Sequence, residues 1–323
     1  MRHNAPGILA VLICTAACAA PAMAADTYPS KPIRMIVAWP PGSGVDVFMR
    51  TINDALSKEL GQTIVVDNRA GAAGVIGAQF VAEAQPDGYT LLFSSAAMNM
   101  VAAMQTKTSY KMPDSFTPVV NVFFSPLALV ANPALGLKSP QDLIALAKKE
   151  KLFYSTSGIG APSHFVGELF ANRTGIQATA VPTQGSPQAM MEQIAGRVTY
   201  HFAVTSTALP PAKDGKVQIL AVASKQRVAI APDIPTLDEL GIQDVDGAYW
   251  NGILAPKGLP DPIAKKIAAA VNKVLAQEDI RKRIAPTGNE LDGQSDPASF
   301  ARLLKTDYEL WKGVADAASI RAQ

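Results

Sequence analysis

Short apolar runs of strand length alternate with longer helical patterns, and this alternation constrains the fold more than any other feature. The first three runs are IRMIVAW (33–39), TIVVD (63–67) and YTLLFS (89–94), with helical patterns between them. A β-α-β-α-β succession of this kind predicts a parallel sheet with helices on both faces. We therefore expect an α/β protein.

Two interruptions divide the alternation. Between about residues 110 and 140, two apolar strands follow each other directly, and a second break comes at GAYWNGILAPKGLP (247–260). A complete α/β unit lies between the breaks, and two long helical patterns follow at 261–277 and 296–315. This order predicts a second domain inserted into the first.

The breaks set the expected domain limits. Residues 25–126 and 252–323 would form domain 1, and residues 127–251 would form domain 2. Chain crossings near 125–128 and 249–254 would then form a hinge of two strands. Ligand sites in such proteins lie at the carboxyl ends of strands and between domains.

The N-terminus has the pattern of a secretory signal peptide. Arg2 is followed by an apolar run from Ile8 to Ala20, and small residues precede the expected cleavage after Ala24. Residues 1–24 would therefore be removed and the protein exported. Both cysteines of the sequence fall inside this segment, so we expect the mature protein to have no disulfides.

Composition excludes several functions. After removal of residues 1–24, the chain has 28 lysines and arginines and 27 acidic residues. This near balance, with no basic stripe, argues against a nucleic-acid partner. The only histidines left are His164 and His201, with no cysteine and no paired carboxylates at a recognisable spacing. We therefore expect neither a metal centre nor a cofactor.

The stretch PPGSGVD (40–46) joins the first strand to a helix. Glycines let backbone N–H groups approach a bound group, and a helix start supplies free N–H donors with a partial positive charge. Ser43 and Asp46 also have the spacing of a capping box. The sequence is therefore compatible with two interpretations, an anion site and a capped turn without a ligand. The sequence argues against a phosphate loop in either case, since no Lys–Ser/Thr pair follows the second glycine.

Two further glycine-containing segments join a predicted strand to a predicted helix. YSTSGIGAPSH (154–164) lies in the expected second domain and is similar to the first junction, so two helix N-termini could face each other across a cleft. In NRAGAAGVIG (68–77) the glycines do not have the spacing of a dinucleotide fingerprint. There we expect a tight turn with close helix packing.

One pair of residues suggests catalysis. Ser163 or Ser157 with His164 could serve an exported hydrolase, although adjacent residues on a helix point apart and no G-x-S-x-G elbow is present. We expect His164 and His201 to pack or hydrogen-bond rather than to catalyse.

Several segments together resemble a known family. YPSKPIRMIVAWPPGSGVDVFMR, IVVDNRAGAAGVIGAQFVAEAQPDGYTLL and KLFYSTSGIGAPSHFVGELF are similar to signature segments of the tripartite tricarboxylate transporter solute receptors, the Bug-type receptors. GRVTYHF, DGKVQILAVAS, PDIPTLDELG and YWNGILAPKGLP continue the resemblance in the same order. It covers essentially the whole chain after the signal segment.

The resemblance implies a periplasmic-binding-protein fold of type II, a Venus flytrap with a hinge between two α/β domains. It implies a periplasmic receptor without catalytic residues that closes on a small carboxylate and delivers it to integral-membrane permease subunits. We expect a monomer. A ligand sensor for a signalling partner would use the same closure and stays open as an alternative.

The family binds its ligand through backbone amides and hydroxyls of facing loops, which implies a set of binding residues here. In the first domain these are Trp39, Gly42, Ser43, Gly44, Asp46, Ser94 and Ser95. In the second domain they are Tyr154, Ser155, Ser157, Gly158, Gly160, Ser163, Thr183, Gln184, Gly185, Thr205 and Ser206.

The chain departs from the family at two of these places. A Tyr–Lys pair that is frequent in the family is replaced by Thr183–Gln184, and an acid is replaced by Ala203. Without that acid a ligand ammonium has no evident partner, so an amino acid is disfavoured. Trp39, where phenylalanine is more usual, offers a wider surface for an aromatic or longer carboxylate, or simply packs the strand end.

Overall fold

The structure, a computed structural model, describes residues 28–104 and 107–321. The predicted signal peptide, residues 1–24, lies outside the described residues. Within them, no helix is both long and apolar enough to cross a bilayer.

Strands and helices alternate through the described chain. The strands are β1 (Ile33–Val37), β2 (Ile64–Asn68), β3 (Thr90–Ser95), β4 (Phe116–Ser125), β5 (Leu127–Ala131), β6 (Leu152–Thr156), β7 (Ala178–Pro182), β8 (Tyr200–Val204), β9 (Gln218–Ala223), β10 (Tyr249–Pro256) and β11 (Glu290–Leu291). The helices are α1 (Gly44–Leu60), α2 (Val75–Ala82), α3 (Ala97–Ala103), α4 (Pro140–Ala147), α5 (Pro162–Thr174), α6 (Ser186–Ile194), α7 (Thr205–Lys213), α8 (Asp261–Leu275), α9 (Glu278–Ile284) and α10 (Pro297–Ala317).

The strands form two mixed sheets. The first has the order β11-β4-β10-β3-β1-β2 and the second has the order β7-β6-β8-β5-β9. The predicted parallel pairing holds for β1 with β2 and β3, and for β6 with β7 and β8. The strands at the two predicted interruptions, β5 and β10, run antiparallel to their neighbours, and each lies at a crossing between the sheets.

The connection between the sheets fixes where their edges lie. Pro126 alone separates β4 from β5, and Leu127 pairs with Val204 at the carboxyl end of β8. Since β4 runs in the same direction as β1 and β3, Ser125 lies at the carboxyl edge of the first sheet. The carboxyl edges of the two sheets therefore adjoin at Pro126, and the loops that leave these edges are brought together.

Apolar residues of helices and strands bury both faces of the first sheet. On one face α1 and α8 pack with their apolar sides inward, and Phe48 of α1 stacks on Phe123 of β4 with ring centroids 4.0 Å apart. On the other face α3 and α10 pack over the sheet, and α10 also contacts α5 beside the second sheet. One apolar cluster therefore continues from the first half of the molecule into the second.

A close approach of α2 to β1 explains one of the glycine patterns. A Cβ atom at Gly77 would lie 2.9 Å from the Arg69 carbonyl oxygen and 3.0 Å from the Ala38 Cα. Gly71 and Gly74 adopt positive φ in the preceding turn. The predicted tight turn with close helix packing is confirmed.

Candidate functional site

The loop between β1 and α1 prepares a helix start with free donors. Ser43 is the N-cap of α1, and its hydroxyl oxygen accepts from the Asp46 N–H at 3.3 Å. Helix geometry leaves the N–H groups of Gly44 and Val45 without intrahelical acceptors. Gly42, with φ at +80°, turns the chain into this start. An anion is stabilised at such a position by the N–H groups and the helix dipole.

The Asp46 carboxylate is engaged inside the loop. It accepts from the Gly42 N–H at 2.9 Å, from Arg50 Nε at 3.0 Å and from Asn68 Nδ2 at 2.8 Å. Burial raises the pKa of Asp46, but these hydrogen bonds outweigh it and hold the pKa below its usual value. Asn68 also donates to the Trp39 carbonyl oxygen at 3.0 Å, so Asp46 and Asn68 fix the path of the loop.

Two donors at the same edge of the first sheet have no partner within the described residues. They are the indole N–H of Trp39 and the hydroxyl of Ser94, and both atoms are buried. Ser94 and Ser95 end β3, next to the loop that carries Trp39. A buried donor without an acceptor costs about 1–3 kcal/mol, so these two groups are available to a ligand oxygen or to water.

The loop after β6 is held by its own side chains. The Ser157 N–H donates to Ser163 Oγ at 2.9 Å, and the two hydroxyls lie 3.0 Å apart. The Gly160 N–H donates to His164 Nδ1 at 3.2 Å, and burial lowers the pKa of His164 to about 4. His164 is therefore a neutral acceptor that positions the loop.

The same contacts bear on the hydrolase alternative. Within the described chain, neither Ser157 nor Ser163 hydrogen-bonds to His164, whose Nδ1 is occupied by a backbone N–H. His201 is buried in β8, contacts the Ser155 carbonyl oxygen through Nδ1 at 2.8 Å, and has its pKa lowered by burial to about 4. The structure thus places both histidines in hydrogen-bonding and packing positions.

The remaining predicted residues of the second sheet mostly bond within the protein. Thr183 donates to the Thr156 carbonyl oxygen at 2.8 Å, and Thr205 donates to the Pro126 carbonyl oxygen at 2.9 Å. The Gln184 side chain is exposed. Gly158 and Gly185 have positive φ, and Ser206 is partly buried at the start of α7. These residues shape the edge of the second sheet.

Tyr154 and Ser155 direct their side chains into the core of the second half. The Tyr154 hydroxyl donates to Glu168 Oε1 at 2.6 Å, and its ring stacks on Tyr200 with centroids 5.1 Å apart. The Ser155 hydroxyl donates to the Ala189 carbonyl oxygen at 2.9 Å. Neither side chain is exposed. The structure does not bring them to the loops.

The two edges make direct contact. A Cβ atom at Gly160 would lie 2.6 Å from Met104 Cε and 2.9 Å from its Sδ. Met104 follows α3, which begins two residues after Ser95. The segment that leaves β3 therefore packs against the loop that leaves β6. This is a form in which both halves of the candidate site are close together.

A polar network at the crossing was not predicted from the sequence. Asn251 Nδ2 donates to Ser125 Oγ at 3.2 Å, and the Ser125 hydroxyl donates to Asn289 Oδ1 at 2.9 Å. The Asn251 Oδ1 atom is buried without a partner among the described residues. These residues lie far apart in the sequence, so no local pattern indicates them.

A surface groove of the described structure lies away from the predicted ligand residues. This groove of about 890 Å³ lies between α5, the start of β7 and α10, and its walls include Glu168, Ile176, Glu309 and Val314. Within the described residues, no group of three or more His, Cys, Asp or Glu side chains is placed to hold a metal ion.

Two α/β halves whose strand ends meet at a short crossing define a two-domain solute-binding protein, and comparisons with known proteins agree. Over residues 48–318 the chain matches the family described as the tripartite tricarboxylate transporter family receptor. The protein BugT of Bordetella pertussis is 35% identical over 311 residues, which are 95% of this chain and 95% of that protein.

Two solved structures are similar in fold and sequence. MatC from Rhodopseudomonas palustris, solved with bound malate, is 30% identical with a TM-score of 0.74, over 89% of this chain and 99% of that chain. A second R. palustris protein, solved with adipate, is 29% identical with a TM-score of 0.78, over 91% and 99%. The chain belongs to the tripartite tricarboxylate transporter receptor family, a family of solute-binding receptors. The predicted fold class and family resemblance are confirmed.

Proposed function

We propose that this receptor works in the periplasm, where it captures a small carboxylate between the carboxyl edges of its two sheets and delivers it to a tripartite tricarboxylate-type permease. The observation that carries the proposal is the group of free donors at one edge: the α1 N-terminus, the Trp39 indole N–H and the Ser94 hydroxyl. Neutral donors bind a carboxylate without a titrating residue. The relatives solved with malate and adipate support this ligand class.

Capture needs no chemistry, only closure. One carboxylate of the ligand binds at the α1 N-terminus, and the loop of residues 157–161 then meets the other side of the ligand. We propose that the predicted domains, 25–126 with 252–323 and 127–251, move as two bodies about Pro126 and the segment before β10. The ligand stabilises the closed form only through contacts that the open form lacks.

The class of carboxylate follows from the uncharged side chains of the second sheet. Gln184 is exposed and uncharged, and Ala203 is buried in the apolar packing of the second sheet, so neither supplies a charge for a ligand. We propose a dicarboxylate or tricarboxylate, or an aromatic carboxylate that stacks on Trp39, rather than an amino acid.

Calorimetry of residues 25–323 with malate, adipate, citrate, benzoate, aspartate and the neutral adipamide tests this proposal. A carboxylate should bind at one site and adipamide should not. If none binds, or a substrate is turned over, the proposal is wrong.

Removing the free donors should weaken binding. We expect Trp39→Phe and Ser94→Ala each to weaken carboxylate affinity about tenfold to hundredfold, since a hydrogen bond to a charged group contributes about 1.5–3 kcal/mol. Ser94→Ala removes only the hydroxyl, and Trp39→Phe removes the indole N–H while it keeps an aromatic ring. Ser30→Ala is a matched control, because Ser30 precedes β1 and lies at the opposite edge of the same sheet. Unchanged affinity in both site variants would exclude these donors from the site.

A further inference from the structure

Asp307 of α10 accepts hydrogen bonds from α3, from β10 and from its own helix. Its Oδ2 accepts from Asn99 Nδ2 of α3 at 2.7 Å and from Trp250 Nε1 of β10 at 2.9 Å. Its Oδ1 accepts from Trp311 Nε1 at 2.7 Å. Two of the three tryptophans in the sequence thus donate to one carboxylate. No feature of the sequence indicates this cluster.

Each of the three donors belongs to an element that reaches the second half. The Trp311 ring packs edge-on against Phe165 of α5, with centroids 5.7 Å apart and planes at 74°. Asn99 lies in α3, which leads to Met104 and its contact with Gly160. Trp250 is the second residue of β10, directly after the segment that returns from the second sheet. Asp307 therefore joins the elements that contact the second half.

Within the described residues, no lysine, arginine or histidine forms an ion pair with this carboxylate. Burial raises the pKa of Asp307 to about 6, although the hydrogen bonds from Trp250, Asn99 and Trp311 act in the opposite direction. The charged group that acts on it is Asp246, from the segment before β10, and it also raises the pKa. A buried carboxylate without a counterion lowers the free energy of unfolding. Stability therefore does not explain why Asp307 is there, and a positioning role is favoured.

We infer that Asp307 is a positioning residue for closure, which holds Trp311 against Phe165 and so sets the affinity of a ligand that it does not touch. The inference rests on the proposed function, because closure is what the ligand stabilises. The contact between Trp311 and Phe165 is made in the form in which both edges meet. Weakening it reduces the population of that form and lowers the apparent affinity in proportion.

The first test is affinity. Asp307→Asn keeps the shape but has one acceptor oxygen. With that oxygen in the position of Oδ2, where two donors bind, the amide NH2 group faces the Trp311 N–H and that hydrogen bond is lost. We expect this variant to weaken carboxylate binding about fivefold, and Phe165→Leu to do the same, in line with the value of an aromatic pair. Because both act through one contact, the double variant should be weakened little further. Asp316→Asn, an exposed site on the same helix, is the control and should bind like wild type.

The second test uses pH. Protonation turns one oxygen of Asp307 into an O–H donor and removes the charge that strengthens the accepted bonds, so wild-type affinity should fall as the pH drops through about 6, and Asp307→Asn should lack this fall. Folding stability should respond in the opposite direction. With its pKa raised in the folded state, Asp307 binds a proton there first, so wild type gains stability relative to Asp307→Asn between pH 7 and pH 5. A merely structural role predicts only the change in stability.

The outcomes separate this inference from the proposed function. If wild type binds a carboxylate and Asp307→Asn binds it equally well at pH 7 and pH 5, the inference is wrong and the function stands. If wild type binds no carboxylate, small-angle scattering of the ligand-free proteins still tests the positioning role. A larger radius of gyration for Asp307→Asn than for Asp316→Asn supports the positioning role, and equal radii contradict it.

Discussion

Replacing Gly160 by valine should weaken carboxylate binding about tenfold to hundredfold, the largest effect on affinity that we expect from a residue of the second loop. A Cβ atom there would lie 2.6 Å from Met104 Cε, and valine adds two more methyl groups, so the buried Met104 side chain must shift before the two edges can meet as they do here. In the open form that we propose, the two edges are apart and this clash would be absent. The loss should therefore appear in binding, measured by calorimetry.

Two variants separate this clash from backbone strain. Gly160 has φ at +81°, so a side chain also strains the loop by about 1–2 kcal/mol. Gly136→Val has similar strain at φ +65° with nothing within 4 Å, and should lower stability without changing affinity. Met104→Ala should restore part of the affinity of Gly160→Val. If it restores none, the contact between the two edges does not limit binding.

Replacing Gly252 by alanine should lower the free energy of unfolding by about 3 kcal/mol, measured with urea. Gly252 lies in β10 between β3 and β4, beside a shift in strand register. A Cβ atom would lie 2.7 Å from the Val120 carbonyl oxygen and 2.5 Å from Phe300 Cζ. The ring could move, but the backbone oxygen belongs to the centre of the sheet and could not.

A second glycine provides the control for this prediction. A Cβ atom at Gly293 meets nothing within 4 Å, and the backbone there has no positive φ. Gly293→Ala should leave stability within about 0.5 kcal/mol of wild type. Equal stabilities for the two variants would mean that β10 is not held as closely between its neighbours as the structure shows.

The elements of the fold could be predicted because their signals are local. Apolar runs indicated β1 to β3, and two strands without a helix between them correctly indicated β4 and β5. Strand direction could not be predicted in the same way. The antiparallel placement of β10 and β5 depends on which sheet each strand joins after the crossing, and apolar patterning is the same for both directions.

The positions of the candidate site's loops could also be predicted from local sequence. The hydrogen-bond partners of their side chains could not. Ser43 caps α1 as its spacing predicts, but the reciprocal bond of a capping box is not formed, because Asp46 accepts from the Gly42 N–H and the Ser43 N–H donates to the Pro40 carbonyl oxygen. The spacing does not show that Asp46 is held by Asn68 and Arg50, or that Tyr154 turns into the core. These arrangements depend on residues that folding brings together from distant positions.

The most direct test of carboxylate capture is a crystal structure of the receptor with a bound dicarboxylate such as malate or adipate. We expect a carboxylate oxygen about 3 Å from the N–H group of Gly44 or Val45, and contact between the ligand and the loop of residues 157–161. The Trp39 indole N–H or the Ser94 hydroxyl should donate to the ligand or to a water bound to it. A dicarboxylate found instead in the groove between α5 and α10, or touching only one of the two loops, would contradict this account.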